Sequence, residues 1–441
     1  MATRDAPRGF LPTLRNIGPG LIISASIVGG GELIATTVLG ARVGFILLWF
    51  ILFSCFIKVF IQVELGRYAI SEGKSSLDAL DSLPGPRMIV SWCVLLWTLM
   101  YIGTLFQLSG MLGSVSQIFD LLFQRSAEAW THSLWVILCA AVIAVLLYIG
   151  RYKLIERLSL FMVAFFTFTT LAALLALQTT VWAISADDLG VGLSFQLPAD
   201  TAIAFAVFGL TGVGASELIY YPIWCIEKGY ARFVGPRDDS EEWLTRARAW
   251  VRVMNMDAWI SMLIYTVSTV AFYLLGASVL HGSGAEVENG NLVSQLSRMY
   301  TETFGQIGFW IFLLGAFMVL FSTMFVATGA NARLLIDAGK LYGLVKPASE
   351  PQRQTLIKYA CVGIAGFLCV VYLYTGQPVT LVLLGGFAQA LMLPFLAFAA
   401  LYFRYKRIHP GLRPGRTWSV FAILSFLSFA IIGAWQISSK L

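Results

Sequence analysis

The sequence predicts an all-α integral membrane protein of eleven transmembrane helices, and three observations predict it. The 441 residues are 58% hydrophobic and only 12% charged, with a mean hydropathy of +0.78. They contain eleven apolar runs long enough to cross a bilayer. Their basic residues sort to one side when those runs are counted as spans. A soluble domain carries about 25% charged residues. Half that share cannot cover a globule of this size with ionised groups. This excludes a soluble enzyme, a nucleic-acid binder and a disordered chain.

A helix needs about 20 apolar residues to cross the hydrocarbon core. Runs at 17–42, 44–66, 88–112, 132–150, 157–178, 201–227, 251–280, 304–332, 356–374, 378–403 and 417–437 meet that need. The tail at 1–16 carries Arg4, Arg8 and Arg15, and no small-residue cleavage site closes the run after it. The first run is therefore read as an uncleaved span. Several runs are longer than required, which implies tilt or extension out of the bilayer. Gly and Pro interrupt the first and the sixth.

With the N-terminus in the cytoplasm, 25 Lys and Arg residues fall on the cytoplasmic side. Four fall outside (Arg42, Arg125, Arg298 and Lys440), and Lys58 lies within the second span. This split supports the span count and the cytoplasmic N-terminus, which puts the C-terminus outside; the expected location is the cell (inner) membrane. The net charge of +6 then reads as topology, not as an acidic partner. Asp187, Asp188, Asp200, Glu286, Glu288 and Glu302 lie in external loops. They form either a vestibule that concentrates cations or ordinary solvated loops.

Cys55, Cys93, Cys139, Cys225, Cys361 and Cys369 sit in or beside apolar runs without a CxxC pair. They read as packed or lipid-facing thiols, not as a disulfide framework or zinc site. His132, His281 and His409 fall in loops or at span edges and suit neither a metal nor a catalytic base. With no nucleophile–base pair or phosphate loop, neither an enzyme nor a bound cofactor is expected.

The chemistry is carried by a repeated heptapeptide. Residues 28–34 read VGGGELI and residues 213–219 read VGASELI, at an offset of 185. One copy lies midway along the first span and the other midway along the sixth. An odd number of spans separates them, so the second unit is inverted. Two inverted five-helix repeats follow, at 17–178 and 201–403, with 417–437 as an extra helix. Inverted-repeat transporters place substrate near the midplane, where corresponding helices are broken by Gly or Pro. Gly29, Gly30 and Gly31 each disfavour helix by about 1 kcal/mol relative to Ala. Gly209, Gly212 and Gly214 precede the second glutamate and Pro222 follows it.

Glu32 and Glu217 therefore stand at the starts of half-helices. One reading is that they only cap those half-helices, where free N–H groups and the dipole favour a carboxylate. Against it, a charged side chain at mid-bilayer costs about 2.5–3.5 kcal/mol, and Ser or Asn caps more cheaply. The other reading is a cation site. Paired acids resist double ionisation, a cation between them relieves the repulsion, and its departure invites a proton. Backbone carbonyls of Val28, Gly29, Gly30, Val213, Gly214 and Ala215 would complete the site. Hydroxyls of Ser24, Ser26, Thr211 and Ser216 would join them. An all-oxygen set favours Mg²⁺, Ca²⁺ or Mn²⁺ over Zn²⁺ or Cu⁺.

Tyr220, Tyr221, Pro222 and Trp224 follow Glu217 as packing aromatics or as the lining of an organic-cation pocket. Lys58 has two readings, a structural ion pair with Glu64 or Glu32 and a functional role. Gln107, Thr323 and Gln389 read as helix–helix glue. Asp257 reads as part of a polar network with nearby arginines.

Several stretches resemble the natural resistance-associated macrophage protein (Nramp) family of proton-coupled divalent metal transporters. They are Gly18-Pro19-Gly20, residues 47–80, GRYKLIERL at 150–158, Val251 to Asp257, and Leu393-Pro394-Phe395. The resemblance implies a fold shared with amino-acid transporters, with helices 1 and 6 discontinuous. The family's break motifs, Asp-Pro-Gly-Asn and Met-Pro-His, are absent here, as is its third-span histidine. Glu32 falls near the family's Asn, and Glu217 has no equivalent there. The resemblance therefore implies the fold and transport but not transition-metal selectivity.

The expected function is a secondary transporter or symporter of a cation, foremost a hard divalent metal, working by alternating access, with proton coupling open. The alternatives are a carrier of a small organic cation or amino-acid-like solute, and a non-transporting sensor. The expected partners are membrane lipid and the transported ion or solute, without nucleic acid.

Overall fold

Inside lipid every backbone polar group must be satisfied within the protein, so long apolar runs close into helices. The computed structural model describes residues 3–123, 129–149, 152–198, 202–285 and 287–438, and these are helical wherever they are regular. The main helices are α1 (Pro19–Ile27), α2 (Thr37–Val43), α3 (Leu48–Glu72), α4 (Trp92–Leu122), α5 (Ala129–Ile149) and α6 (Tyr152–Leu177). They continue with α7 (Ala202–Leu210), α8 (Ala215–Lys228), α9 (Glu241–Leu275), α10 (Leu292–Leu341), α11 (Glu350–Thr375), α12 (Pro378–Lys406) and α13 (Arg416–Ser438).

Among the described residues, nine helices are long and apolar enough to span a bilayer. Pro19–Ile27 with Gly31–Val43 forms a bent pair, at 40°, that meets the same test together. Of the predicted residues, Arg125, Asp200, Glu286 and Lys440 lie outside the described ones, as do Gly150 and Arg151 of the 150–158 stretch.

Two helices extend beyond the runs that announced them. α9 begins at Glu241, where the Ser240 hydroxyl accepts the Trp243 N–H at 3.1 Å. Trp243, Leu244, Ala247 and Trp250 are buried at helical spacing in a stretch too charged to read as a span. α10 includes an amphipathic lead-in that buries Leu292, Val293, Leu296, Met299 and Tyr300. It turns at Gly305 (φ 59°, ψ −144°), beside the expected start of that span.

Pro222 corrects the sequence reading in the other direction. It lies inside continuous α8 and does not interrupt it. One carbonyl of the preceding turn, Ile219 O, accepts the Ser76 hydroxyl at 2.7 Å.

The broken segments occupy the centre, packed by α3, α9, α10 and α12. Residues 203–225 are buried throughout, as fits core helices rather than lipid-facing ones. All six cysteines are buried and free.

Candidate functional site

The first break is built on glycine. Val28 caps α1 by donating its N–H to Ser24 O, and Gly29 then leaves helical geometry (φ −77°, ψ −109°). A Cβ on Gly29 would sit 1.7 Å from Thr323 Oγ1, so only glycine lets α10 approach this closely. Thr323 donates its hydroxyl to Ala25 O at 2.9 Å, satisfying a carbonyl in the last turn of α1. Residues Val28–Thr36, which include Gly30, continue as a π-helix, a form that concentrates at functional sites.

The second break uses a left-handed glycine. The Thr211 N–H and hydroxyl both reach Val207 O at 2.7 Å, closing α7. Gly212 takes φ +64°, and the extended Gly214 opens α8 with its carbonyl accepting the Leu218 N–H at 2.9 Å. A Cβ on Gly214 would lie 2.6 Å from both Gln389 Oε1 and Glu217 Oε2. The backbones of the two breaks also meet, since a Cβ on Gly31 would be 3.3 Å from Leu210 O.

Each glutamate is bound by the opposite break. Glu32 Oε1 accepts the Gly212 N–H at 2.9 Å, and its Oε2 lies 2.9 Å from the Thr36 hydroxyl. Glu217 Oε1 accepts the Ser26 hydroxyl at 3.0 Å. The Ser216 hydroxyl stands 2.8 Å from Glu217 Oε2 and 2.8 Å from Gln389 Oε1, and can donate to one at a time. Gln389 in turn donates to Gln107 Oε1 at 2.6 Å, tying α12 to α4. Glu32 is wholly buried and Glu217 nearly so.

The predicted residues Ser26, Val28, Gly29, Gly31, Thr211, Val213, Gly214, Ala215 and Ser216 all lie buried within or beside the two breaks. Ser24 bonds back to Gly20 O within α1. Tyr220 stands one turn past Glu217. Its buried hydroxyl has Glu217, Tyr101, Asn331 and Ser216 as its polar neighbours.

Two expectations are corrected. Asp257 does not join an arginine network. It accepts the Gly18 and Gly20 N–H groups at 2.9 and 2.6 Å, capping α1, and the Tyr221 hydroxyl at 3.1 Å. Lys58 forms no ion pair with Glu64 or Glu32. Its ammonium donates to Phe208 O and, at 2.6 Å, to Thr211 O, 4.5 Å from the Phe208 ring centroid. Glu64 is taken instead by Arg404 at 3.0 Å, Trp418 Nε1 at 2.7 Å and Arg67 at 3.4 Å. A lone lysine inside an apolar run is the only sequence signal for the Lys58 contact, and it does not name the partner.

Residues 20–439 match the family described as natural resistance-associated macrophage protein-like. The chain belongs to this family. An uncharacterized protein of Pasteurella multocida is 24% identical over 351 residues, 76% of this chain and 72% of that protein. Among solved structures, a manganese transporter mutant of Eremococcus coleocola aligns at TM-score 0.68 and 16% identity, covering 100% of this chain and 90% of that one. MhsT in complex with L-phenylalanine aligns at TM-score 0.61 and 14% identity, over 99% and 100% of the two chains. Mhp1, a nucleobase-cation-symport-1 family transporter, aligns at TM-score 0.59 and 14% identity, over 99% and 95%. At these identities the likeness concerns the fold. The Nramp-like chain is thus an integral membrane protein of a transporter family.

Proposed function

We propose that this Nramp-like protein is a secondary transporter of a hard divalent cation, Mg²⁺, Ca²⁺ or Mn²⁺, with Glu32 and Glu217 as its charged ligands. Its architecture is read as eleven spans. Two inverted five-helix units, 17–178 and 201–403, are followed by a helix at 417–437. The N-terminus is cytoplasmic in a cell (inner) membrane. The solved Eremococcus coleocola relative is a manganese transporter, which agrees with a divalent substrate.

The observation that carries this reading is the exchange of carboxylates between the breaks. Glu32 accepts from Gly212, and Glu217 accepts from Ser26. In this arrangement protein donors occupy carboxylate oxygens that a hard cation would take. Alternating access then needs little invention. Moving one half against the other breaks both contacts and frees two carboxylates, with Ser26 and Thr36 hydroxyls beside them. A cation between the carboxylates compensates their mutual repulsion, and a proton can do the same after it leaves. Uptake into proteoliposomes tests this. Mg²⁺, Ca²⁺ or Mn²⁺ should accumulate, and failure of all three to move or bind removes the proposal.

One observation favours a second reading, a small organic cation or amino-acid-like solute. The Tyr220 hydroxyl is buried one turn past Glu217, with Tyr101 and Asn331 as polar neighbours. Among the described residues no group of three His, Cys, Asp or Glu side chains could hold a metal. Binding of an amine or amino acid, lost in Glu217→Gln, would select this reading over the first.

A further inference from the structure

The ammonium of Lys58 lies where a free cation could lie. Phe208 and Thr211 sit at the C-terminal end of α7, where helix carbonyls lack partners and the helix dipole is negative. Lys58 Nζ donates to both of those carbonyls and rests against the Phe208 ring. The side chain is completely buried, and Glu32 and Glu217 are both close enough to act on it electrostatically. A helix-borne lysine at this depth is costly unless it is matched. Here it is matched by two carbonyl oxygens, an aromatic face and two nearby carboxylates. Cations in the broken helices of transporters are coordinated by such carbonyls.

We infer that the carbonyl end of α7 is a monovalent-cation site that the chain fills with its own Lys58 ammonium. The ligand class is a dehydrated alkali cation, Na⁺ or K⁺, for which Lys58 is a tethered substitute. Two consequences follow. The protein needs no dissolved monovalent ion to neutralise the breaks. Lys58 also sets what else can enter, because a cation reaching the Phe208 and Thr211 carbonyls must displace an ammonium attached to α3. This inference rests on reading the breaks as cation sites, but its test requires no transport.

The experiment compares thermal unfolding of purified wild-type protein and Lys58→Met at equal ionic strength in choline, sodium and potassium chloride. Ligands that bind only the folded state raise the unfolding temperature. Wild type should unfold at one temperature in all three salts. Lys58→Met should unfold several degrees lower in choline and recover most of that loss in sodium or potassium, and the better salt names the ion. If Lys58→Met unfolds at the same temperature in all three salts, the inference is overturned, whether or not that temperature is lowered. Should the variant not survive purification in choline, the yield of folded protein extracted in potassium or sodium becomes the readout. Yields that are equally poor in every salt overturn it too. Lys58→Gln, which leaves a neutral donor near the carbonyls, should show the same salt response to a smaller degree. Wild-type proteoliposomes that move no divalent cation, beside a salt-dependent Lys58→Met, would remove the proposed substrate and leave this site standing.

Discussion

Glu217 Oε1 accepts the Ser26 hydroxyl at 3.0 Å, joining residues 191 apart in sequence at the crossing of two broken helices. This contact and its counterpart between Glu32 and Gly212 tie each carboxylate to the opposite break, while Thr36 and Ser216 hold the second oxygen of each from its own helix. Glu217 is an acidic residue in the first turn of α8, so it also meets the positive end of that half-helix. A favourable place on the helix dipole and a hydrogen bond from the opposite break therefore coexist at one side chain.

Ser26→Ala removes one donor from Glu217 and leaves Ser216 in place. A hydrogen bond to a charged group is worth about 1.5–3 kcal/mol. If Glu217 binds cargo, Ser26→Ala should alter the apparent affinity for the transported cation while maximal uptake persists. Glu217→Gln should abolish uptake in protein that remains monodisperse. Concentration-dependent uptake in proteoliposomes checks both, and unchanged affinity in Ser26→Ala would separate Ser26 from the site.

Gly29→Ala should be poorly tolerated, because its new Cβ would fall 1.7 Å from Thr323 Oγ1 and 2.4 Å from Thr323 Cβ. Overpacking a tight interior costs about 1–3 kcal/mol. Gly363→Ala is the control, since nothing lies within 4 Å of the added carbon. Thermal unfolding should show a clear loss for the first and none for the second.

Asp257→Asn should destabilise the protein by about 1.5–3 kcal/mol, as expected for weakening hydrogen bonds to a charged group. The aspartate serves two backbone N–H groups of α1 and one hydroxyl of α8. An amide has one accepting oxygen and cannot serve both N–H groups as two carboxylate oxygens do. Tyr221→Phe removes only the hydroxyl contact to Asp257 and Met254 O and should cost less. Ranking the two variants by unfolding temperature tests this order.

Glu64→Gln should be among the most damaging substitutions away from the breaks. Glu64 is the carboxylate that Arg404 and Arg67 share, and all three are buried. Removing one member of a buried ion pair costs about 3–5 kcal/mol because it strands the other charge. The Trp418 indole N–H also donates to Glu64, so α13 should loosen in the variant. Faster proteolysis near residues 413–416 would report that loosening, and wild-type resistance would count against it.

These contacts show what the sequence could reveal. Helix breaks at residues 28–36 and 211–214 were legible because runs of glycine beside a glutamate make no sense in an apolar helix. Lys58 was visible as an anomaly, but its partners are backbone carbonyls, which carry no residue signature. The role of Asp257 is not legible because the nearest charged residue in sequence, Arg252, is basic, while its spatial partners are 237 and 239 residues away. Pro222 looked like a breaker because local propensity disfavours it, yet the packed surroundings of α8 keep that helix continuous. The charged start of α9 was missed because its buried tryptophans are interleaved with arginines and glutamates. Its hydropathy therefore conceals a helical stripe.

The most direct test of the central claim, that Glu32 and Glu217 together bind the transported cation, is Mn²⁺ binding to purified protein followed by electron paramagnetic resonance. Mn²⁺ serves here as a spectroscopic member of the hard-cation class. Wild type should bind Mn²⁺ saturably, with Mg²⁺ and Ca²⁺ competing. Glu32→Gln and Glu217→Gln should each lose that binding while unfolding cooperatively. Wild-type binding retained in both variants would contradict the account and return the two carboxylates to a purely structural role.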